Sequence, residues 1–446
     1  MNRDADSLLG LRGFLIEAPE PGRVRSRSDG AIVIEGTQIA EVGDYREISA
    51  RPHAQPIRWL HTQGAAIFPG LIDLHTHLPQ YPAVARGDCE LLPWLRRHIF
   101  PLEREFKGAR VGPEAAAFFA ELARHGTTSA MVYAAIFEDS TEAAFHAALA
   151  SGLRVIMGKM MMDVGSYGNL QPTKVASISL HESERLCRTW HGAGAGLIEY
   201  AVSPRFAVAC SEKMMRGAAD LAARYGAYIQ THLAENLEEI EKVRHQFPGA
   251  LDYTDVYEQC GLLTERTVLG HCIHLSDRER EAIAARGASV AHCPTANLFL
   301  NSGIMPLERM RAAGLRIGLG SDVGAGPELN MWQVMRTAIE TQKIRAMYEP
   351  GVHIPTAGEA LHLATQGAAE ALGKGEVVGT FDIGKEADLT VMNLGALVPY
   401  RQSRSGHELT AEDVLNLCIY RGGPAAVLET MVRGRSVFHA PAPELF

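Results

Sequence analysis

Two histidines separated by one residue follow a short apolar segment near residue 70. The sequence Phe-Pro-Gly-Leu-Ile-Asp-Leu-His-Thr-His at residues 68–77 predicts a turn and then a buried strand with His75 and His77 at its carboxyl end. Side chains two residues apart in an extended segment share a face, so both imidazoles can point to one position. Two imidazoles are an incomplete metal site, because Zn²⁺ usually takes three or four protein ligands. Further ligands must come from elsewhere in the chain.

Other segments that we interpret as strands also end in residues that can bind a metal or carry a proton. These strand ends are His232, His271, His292 and Asp322, and Glu235 follows His232 by three residues. The chain has 18 histidines, and any one of them alone is more often a packed or hydrogen-bonded residue than a ligand. Their joint occurrence at successive strand ends favours a single site, with His274 as a candidate for a position behind it.

Three imidazoles and one carboxylate suit Zn²⁺ or Fe²⁺, with water in an open position. Such a metal lowers the pKa of its bound water from about 15.7 to about 7, so hydroxide exists at neutral pH. Glu235 could carry a proton without binding the metal, and Asp322 could bind the metal and hydrogen-bond the attacking water. These roles predict hydrolytic attack on an sp² carbon that carries a leaving nitrogen.

Strand and helix patterns alternate through the middle of the chain, which favours a parallel sheet wrapped by helices. Asp139 and Glu142 predict a capping box for a helix that ends at Gly152. Eight strands are predicted, at or near residues 71–75, 127–132, 154–157, 199–202, 228–232, 267–271, 289–292 and 316–321. Eight such units predict a TIM-like (β/α)8 barrel, in which the chemistry lies at the carboxyl ends of the strands.

Hairpin patterns occur at both ends of the chain. Residues 31–42 alternate around a turn at Gly36, and residues 427–438 flank the turn Arg433-Gly434. We therefore predict a small β-sandwich domain built from both termini. The predicted division is 1–66 for its N-terminal part, 67–378 for the metal-dependent hydrolase barrel and 379–446 for its C-terminal part.

The composition of the 446-residue chain, with 46% hydrophobic and 21% charged residues, is typical of an ordinary globular protein. The net charge of −9 and the lack of a basic stripe argue against a nucleic-acid partner. No apolar run reaches the ~18 residues of a membrane span, and the first residues do not resemble a signal peptide, so we expect no membrane partner and a cytoplasmic location. Seven scattered cysteines without a C-x-x-C pair indicate neither a disulfide framework nor a zinc ribbon. The expected partner is a small molecule.

Several motifs together resemble the amidohydrolase superfamily, in its branch of aminohydrolases that act on purines and related rings. They are residues 69–77, His232-Leu233-Ala234-Glu235, Gly270-His271, residues 291–294 and Gly320-Ser321-Asp322. The resemblance implies that one divalent metal, Zn²⁺ or alternatively Fe²⁺, is held by His75, His77, His232 and Asp322, with His271 beside the water or substrate. Two-metal members carry a bridging lysine at the end of the fourth strand, but residues 200–206 contain none. A single metal is therefore expected.

Within this branch, residues 77–81, 203–206, 210–212, 232–236 and 291–297 are most similar to the guanine deaminase family. The resemblance implies that Gln80, Arg205 and Phe206 contact a purine, together with Glu235 and His271. It implies attack of a metal-bound hydroxide on C2 of guanine, with Glu235, His271 and Asp322 as catalytic residues, to give xanthine and ammonia. It also implies a homodimer and a role in purine catabolism.

Two other functions are compatible with these residues. The same chemistry could act on another aminated ring, such as 8-oxoguanine, a pterin, a triazine or an adenosine-type thioether. A metal-free barrel could instead serve as a binding scaffold. A scaffold would be expected to have lost its ligands, whereas every expected ligand is present in this sequence.

Overall fold

Sixteen strands in two sheets form the framework of the protein, as seen in a computed structural model that describes residues 8–87, 89–165, 172–399 and 409–441. In chain order the strands are β1 (Leu8–Glu20), β2 (Arg23–Glu35), β3 (Gln38–Asp44), β4 (Ile57–Pro69), β5 (Leu71–His77), β6 (Thr127–Tyr133), β7 (Arg154–Gly158), β8 (Met160–Met161), β9 (Ile198–Pro204), β10 (Tyr228–Leu233), β11 (Thr267–His271), β12 (Ser289–His292), β13 (Arg316–Leu319), β14 (Leu389–Asn393), β15 (Val427–Val432) and β16 (Arg435–His439).

Eight parallel strands form a barrel, and all eight predicted strands are confirmed. Their order is β5-β6-β7-β9-β10-β11-β12-β13, and the two-residue β8 pairs with β9. Every residue of β5 and β6 is buried, as expected for strands enclosed by helices on one side and by the barrel interior on the other. The predicted (β/α)8 architecture is therefore confirmed.

The barrel closes between its first and last strands through backbone hydrogen bonds. Asp322 donates its N–H to the carbonyl of His75 at 2.7 Å, and His77 donates its N–H to the carbonyl of Val323, also at 2.7 Å. Asp73 lies buried beneath this junction and accepts hydrogen bonds from the N–H of Ser321 at 2.9 Å and from its hydroxyl at 2.5 Å. The two ends of the barrel sheet are thus fixed to each other at the rim where His75, His77 and Asp322 lie.

Most α-helices of the described residues surround the barrel or connect its strands, whereas Tyr45–Ala50 packs against β2 and β3 of the other sheet. The helices are Tyr45–Ala50, Leu91–Trp94, Phe100–Glu105, Val111–Arg124, Glu138–Ser151, Pro172–Trp190, Ala193–Gly196, Glu212–Tyr225, Leu237–Gln246, Tyr253–Gln259, Asp277–Ala285, Pro294–Phe299, Leu307–Ala312, Met331–Tyr348, Ala357–Ala364, Gln366–Ala371, Leu394–Leu397 and Ala411–Arg421. None of the helices in this described part of the chain combines the length and the apolar character that crossing a membrane requires.

The capping box predicted at Asp139 and Glu142 is wrong. The helix begins at Glu138, after an extended Phe137, and no side chain caps its first turn. Asp139 therefore lies inside the helix, where its carboxylate accepts the N–H of Ser140 at 2.8 Å. The predicted end is correct, because Gly152 stops the helix with a left-handed φ of 73°.

The small β domain expected from both termini is a seven-stranded mixed sheet in the order β16-β15-β14-β4-β1-β2-β3. Both predicted hairpins are present, as β2 with β3 and as β15 with β16. The sheet curls around its own apolar core, to which Leu11, Ile32, Ile67 and Val391 contribute. The division at residues 66 and 378 stays a prediction, since β4 continues through residue 66 to Pro69 before the barrel begins.

A buried ion-pair group joins the barrel to the β domain. Arg154 on β7 lies 3.2 Å from Asp388, just before β14, and also pairs with Glu386. The side chains of Arg154 and Asp388 are only 2% and 1% exposed. Burial raises the pKa of Asp388 even though Arg154 opposes the shift. Removal of the arginine would leave a buried carboxylate without its counter-charge.

We therefore expect Arg154→Met to lower the free energy of unfolding by about 3–5 kcal/mol, the range for breaking a buried pair. Arg185→Met is the matched control, because Arg185 pairs with Glu138 at the surface and its side chain is 60% exposed. Surface pairs contribute about 0–1 kcal/mol. Urea unfolding of both variants checks the difference, and equal losses would contradict a structural role for the buried pair.

Candidate metal centre and substrate cavity

Four side chains meet at the carboxyl rim of the barrel. β5 supplies His75 and His77, β10 supplies His232, and the turn after β13 supplies Asp322. The Nε2 atom of His77 lies 3.3 Å from Nε2 of His75, 3.2 Å from Nε2 of His232 and 3.3 Å from Oδ1 of Asp322. Oδ1 of Asp322 lies 3.4 Å from Nε2 of His75. The structure thus brings together the four residues expected to hold a metal.

The spacing of these four atoms fits a cation between them. Ligands placed tetrahedrally about 2.0–2.1 Å from a metal are separated by about 3.3–3.4 Å, which matches the measured distances. Imidazole nitrogens that face one another this closely cannot all be hydrogen-bonded to each other, since a neutral imidazole has one donor and one acceptor. The geometry is that of a ligand set rather than of a hydrogen-bond network.

The charge states of His77, His232 and Asp322 also suit a metal. Burial lowers the pKa of His77 to about 4 and that of His232 well below its ordinary value, so both imidazoles are neutral at pH 7. Burial raises the pKa of Asp322, but its contacts to His75 and His77 outweigh this and hold the pKa well below its ordinary value. Unprotonated imidazoles and an ionised carboxylate are the forms that bind metals.

Hydrogen bonds and ring contacts orient these ligands. The Nδ1–H of His232 donates to the carbonyl of Arg205 at 2.6 Å, which leaves the Nε2 lone pair for a metal. The hydroxyl of Tyr257 donates to the carbonyl of His232 at 2.7 Å. Tyr133 stacks on His77 with ring centroids 4.5 Å apart and an angle of 13° between the planes. The rings are therefore held in place by the protein before any substrate binds.

Two glycines in the motifs make room for His75. A Cβ atom on Gly270 would lie 2.6 Å from Cε1 of His75, and one on Gly320 would lie 2.7 Å from its Cβ atom. Both distances are well below ordinary contact. The glycines before His271 and before Ser321 are thus needed for close packing around the first histidine.

Glu235 lies beside the cluster without belonging to it. Its carboxyl group is 2% exposed and accepts a hydrogen bond from the hydroxyl of Ser302 at 2.9 Å. Burial, reinforced by the charge of Asp322, raises the pKa of Glu235 to about 8. Glu239 fixes the adjacent backbone by accepting the N–H of Glu235 at 3.0 Å. A carboxyl group with such a pKa can both hold and release a proton near neutral pH.

His271 faces the same space as Glu235 and Asp322. Its Nδ1–H donates to Oδ1 of Asn297 at 2.9 Å, and its Nε2 lies 3.4 Å from Glu235 and 3.7 Å from Asp322. Within the described residues this buried Nε2 has no hydrogen-bond partner, so it remains available to a ligand. The backbone at His271 and Asp322 has φ values of 69° and 49°, a left-handed conformation that costs of order 1–3 kcal/mol and clusters at functional sites.

A cavity opens above the cluster. The expected substrate contacts Gln80, Arg205 and Phe206 line it, together with Glu235 and His271. Sequence reasoning missed the apolar part of its wall, which is formed by Leu91, Trp94, Leu95, Leu300 and Ala325.

Sequence reasoning also missed Glu103. This buried residue accepts Nε2–H of Gln80 at 2.9 Å through Oε1 and Nη1–H of Arg205 at 2.6 Å through Oε2. Nothing in the spacing around residue 103 pairs it with Gln80 or Arg205.

Two further histidines singled out by the sequence, His292 and His274, lie outside the four-ligand cluster. His292 ends β12 and is buried, but it does not line the cavity, and its ring nitrogens have no hydrogen-bond partner among the described residues. His274 lies behind the site, where its Nε2–H donates to the carbonyl of Ser302 at 2.8 Å. It therefore reaches Glu235 only through Ser302.

The cavity combines three kinds of group: a ligand set for a divalent cation, the carboxyl group of Glu235, and the hydrogen-bonding side chains of Gln80 and Arg205. This arrangement can activate water and deliver a proton to a nitrogen of a flat polar ring. Phe206 and the apolar wall can bind the faces of such a ring.

Comparisons with known proteins agree on one family. Residues 66–437 match the model of the amidohydrolase family. Guanine deaminase from Escherichia coli (strain K12) is 35% identical over 442 residues, covering 97% of this chain and 98% of that protein. The structure of guanine deaminase from C. acetobutylicum with guanine bound in its active site superposes with a TM-score of 0.88 at 29% identity, covering 97% and 100% of the two chains. A zinc-bound adenosine deaminase from Xanthomonas campestris superposes with a TM-score of 0.80 at 26% identity, covering 97% and 92%.

The cluster geometry predicts the metal content of the protein. We expect about one divalent metal ion per wild-type chain purified without chelator, and near zero for His77→Ala, because His77 contacts the other three groups. His245→Ala is the control, since the His245 side chain is 74% exposed and pairs with Glu241 at the surface. Elemental analysis by mass spectrometry measures the metal, and circular dichroism verifies folding. Full metal content in folded His77→Ala would exclude this ligand set.

Proposed function

The chain belongs to the amidohydrolase family, and from this we propose that it is a metal-dependent deaminase that hydrolyses guanine to xanthine and ammonia. One observation carries the proposal. Gln80 and Arg205 line the same cavity as the metal-ligand cluster and Glu235, so the groups proposed for ring recognition and for hydrolysis share one space. The relative from E. coli and the guanine-bound structure from C. acetobutylicum support the choice of ring.

We propose Zn²⁺ as the metal, held by His75, His77, His232 and Asp322, with Fe²⁺ as the alternative that the same donors accept. The zinc bound in the X. campestris relative supports this choice. Such an ion would lower the pKa of a bound water and so supply a nucleophile at neutral pH.

The positions of the lysines near the barrel rim support a single metal rather than two. β9 contains no lysine that could bridge a second ion. Lys159, which follows β7, is fully buried but points toward the helix Pro172–Trp190, where its Nζ lies 3.0 Å from Glu182 and 2.9 Å from Ser179. Its amine is therefore engaged away from the cavity.

Glu235 is the proposed proton carrier. Its Oε2 faces His271 and its Oε1 is held by Ser302, so the carboxyl group has a fixed direction in the cavity. Because burial and the charge of Asp322 raise the pKa of its carboxyl group, Glu235 could hold the proton that the attacking water loses and pass it to the ring nitrogen beside the reacting carbon. The proton of the hydroxyl group added to the carbon would then pass to the amino group, so that the C–N bond breaks, ammonia leaves and the new carbonyl forms.

Asp322 and His271 are the proposed partners of the reacting oxygen. Asp322 Oδ1 faces the metal position and Oδ2 lies 3.7 Å from Nε2 of His271. The two groups thus lie on the same side of the cavity as Glu235, where they can orient water and stabilise charge that develops on oxygen.

Gln80, Arg205 and Phe206 are the proposed contacts of the purine. Amide and guanidinium groups match the carbonyl and nitrogens of the ring edge, and Phe206 offers an aromatic face. Homodimer formation, a cytoplasmic location and a role in purine catabolism stay proposals of the same kind.

A substrate panel tests the choice of ring. Wild-type protein is given guanine, 8-oxoguanine, a pterin, a triazine and an adenosine-type thioether, and ammonia release is measured. We expect guanine to have the highest kcat/KM, with mismatched rings lower by up to about 10⁴-fold where a buried polar group loses its partner. A faster reaction with another ring would replace guanine as the substrate. Protein purified without chelator that holds no transition metal and hydrolyses none of these rings would support the scaffold function.

Replacement of Glu235 tests its role. Glu235→Gln should retain the metal but lose roughly 10²-fold or more in kcat, the scale of a positioned acid and base. Glu238→Gln, an exposed change three residues later, should leave kcat unchanged. Wild-type turnover in Glu235→Gln would remove this residue from the mechanism.

A further inference from the structure

Glu103 joins Gln80 and Arg205, two polar side chains that line the cavity. We call the part of the cavity formed by these two side chains its ring end, because the purine is proposed to bind there. Glu103 lies on the helix Phe100–Glu105 and is 4% exposed, while Gln80 and Arg205 are 2% and 3% exposed. One carboxylate oxygen accepts from Gln80 at 2.9 Å and the other from Arg205 at 2.6 Å. The guanidinium also lies 5.1 Å from the ring centroid of Phe100, at the start of the same helix. This arrangement fixes all three polar groups relative to one another.

The first consequence concerns the direction of the Gln80 amide. An ionised carboxylate only accepts hydrogen bonds, so the NH₂ group of Gln80 must face Glu103. A rotation of the amide by 180° would place two oxygens 2.9 Å apart without a hydrogen between them. The amide oxygen of Gln80 is therefore the group left for the cavity, where it requires a donor such as a ring N–H.

The second consequence concerns charge. Arg205 alone would be a buried cation in the cavity wall and would favour an anionic ligand, because an unpaired buried charge is strongly unfavourable. Glu103 supplies the opposite charge at 2.6 Å, so the pair is neutral while the remaining guanidinium N–H groups stay available. The ring end of the cavity is thus built for a polar ligand without net charge.

We propose that Glu103 is a positioning residue that orients Gln80, neutralises Arg205 and so makes the cavity select a neutral ring over an anionic one. This inference rests on the proposed function. It gives Glu103 a role in product release as well. Deamination at C2 creates a second carbonyl next to a ring N–H, which makes the product more acidic than the substrate. A neutral ring site holds the product anion weakly.

The test compares Glu103→Gln with wild type in two measurements. For guanine, we expect KM to rise at least about tenfold with a smaller change in kcat, because charge-assisted hydrogen bonds to the ring contacts are lost while the metal cluster is untouched. For inhibition, the probes are hypoxanthine, which is neutral at pH 7, and urate, which is an anion. The ratio of their inhibition constants should shift toward tighter relative binding of urate by at least about tenfold in Glu103→Gln.

Two further variants separate positioning from a general structural effect. Glu105→Gln, an exposed change on the same helix, should leave both measurements at wild-type values. Glu103→Asp keeps the charge but is one methylene too short to reach both partners, so KM should rise while the urate to hypoxanthine ratio stays as in wild type. If Glu103→Gln does not fold, Glu103→Asp still tests the inference, since an unchanged KM in that variant would overturn it.

The two proposals fail in different ways. A wild-type enzyme that turns over guanine, combined with unchanged KM and unchanged inhibitor ratio in Glu103→Gln, would overturn the role of Glu103 alone. A wild-type enzyme that does not hydrolyse guanine would overturn the proposed function and this inference with it. Metal content, measured in every variant, should equal that of wild type, and its loss in Glu103→Gln would overturn the assignment of Glu103 to the ring end.

Discussion

Closure of the barrel between β5 and β13 is the constraint on which the site depends. His75 and His77 come from one side of this junction and Asp322 from the other, and the backbone bonds between them are only 2.7 Å long. Asp73 crosses the same junction to Ser321, so a buried carboxylate fixes the register directly beneath the ligands. In a strand, a shift of one residue turns every side chain to the opposite face. A slip at this junction would therefore dismantle the ligand set while leaving most of the barrel intact.

The site is assembled from polar and charged side chains. Each would be unfavourable to bury alone, but together they balance one another's charges. Three imidazoles surround one carboxylate at the metal end, and Arg205 is matched by Glu103 at the ring end. Glu235 lies between these ends with a raised pKa, because burial and the nearby charge of Asp322 both oppose its ionisation. Left-handed backbone at His271 and Asp322 adds local strain. Such strain is tolerated where the surrounding packing fixes the conformation, so the groups are already in place when a substrate enters.

Much of the fold follows from local sequence patterns, and the site residues follow from their positions in those patterns. The eight strands could be predicted because each is a short apolar run between turns, and His75, His77, His232, His271 and Asp322 because each ends a strand at one rim. The helix start at Glu138 could not be predicted, and a capping box was wrongly expected at Asp139, since the start depends on how β6 leads into Phe137. Glu103 could not either, because its partners lie 23 and 102 residues away in sequence. Contacts of that kind depend on how the segment after β5 folds over the cavity, which no periodicity encodes.

Arg205 links the two ends of the cavity through different atoms. Its carbonyl accepts Nδ1–H of His232 at 2.6 Å and so orients a metal ligand, whereas its guanidinium binds Glu103 and lines the ring end. The carbonyl belongs to the backbone and stays in place when the side chain changes. Side chains at positions 80, 103 and 205 can therefore change without removing this backbone contact to the metal-ligand cluster. A barrel built in this way can retain one hydrolytic chemistry while its ring end adapts to different substrates, which is how a common fold supports several activities.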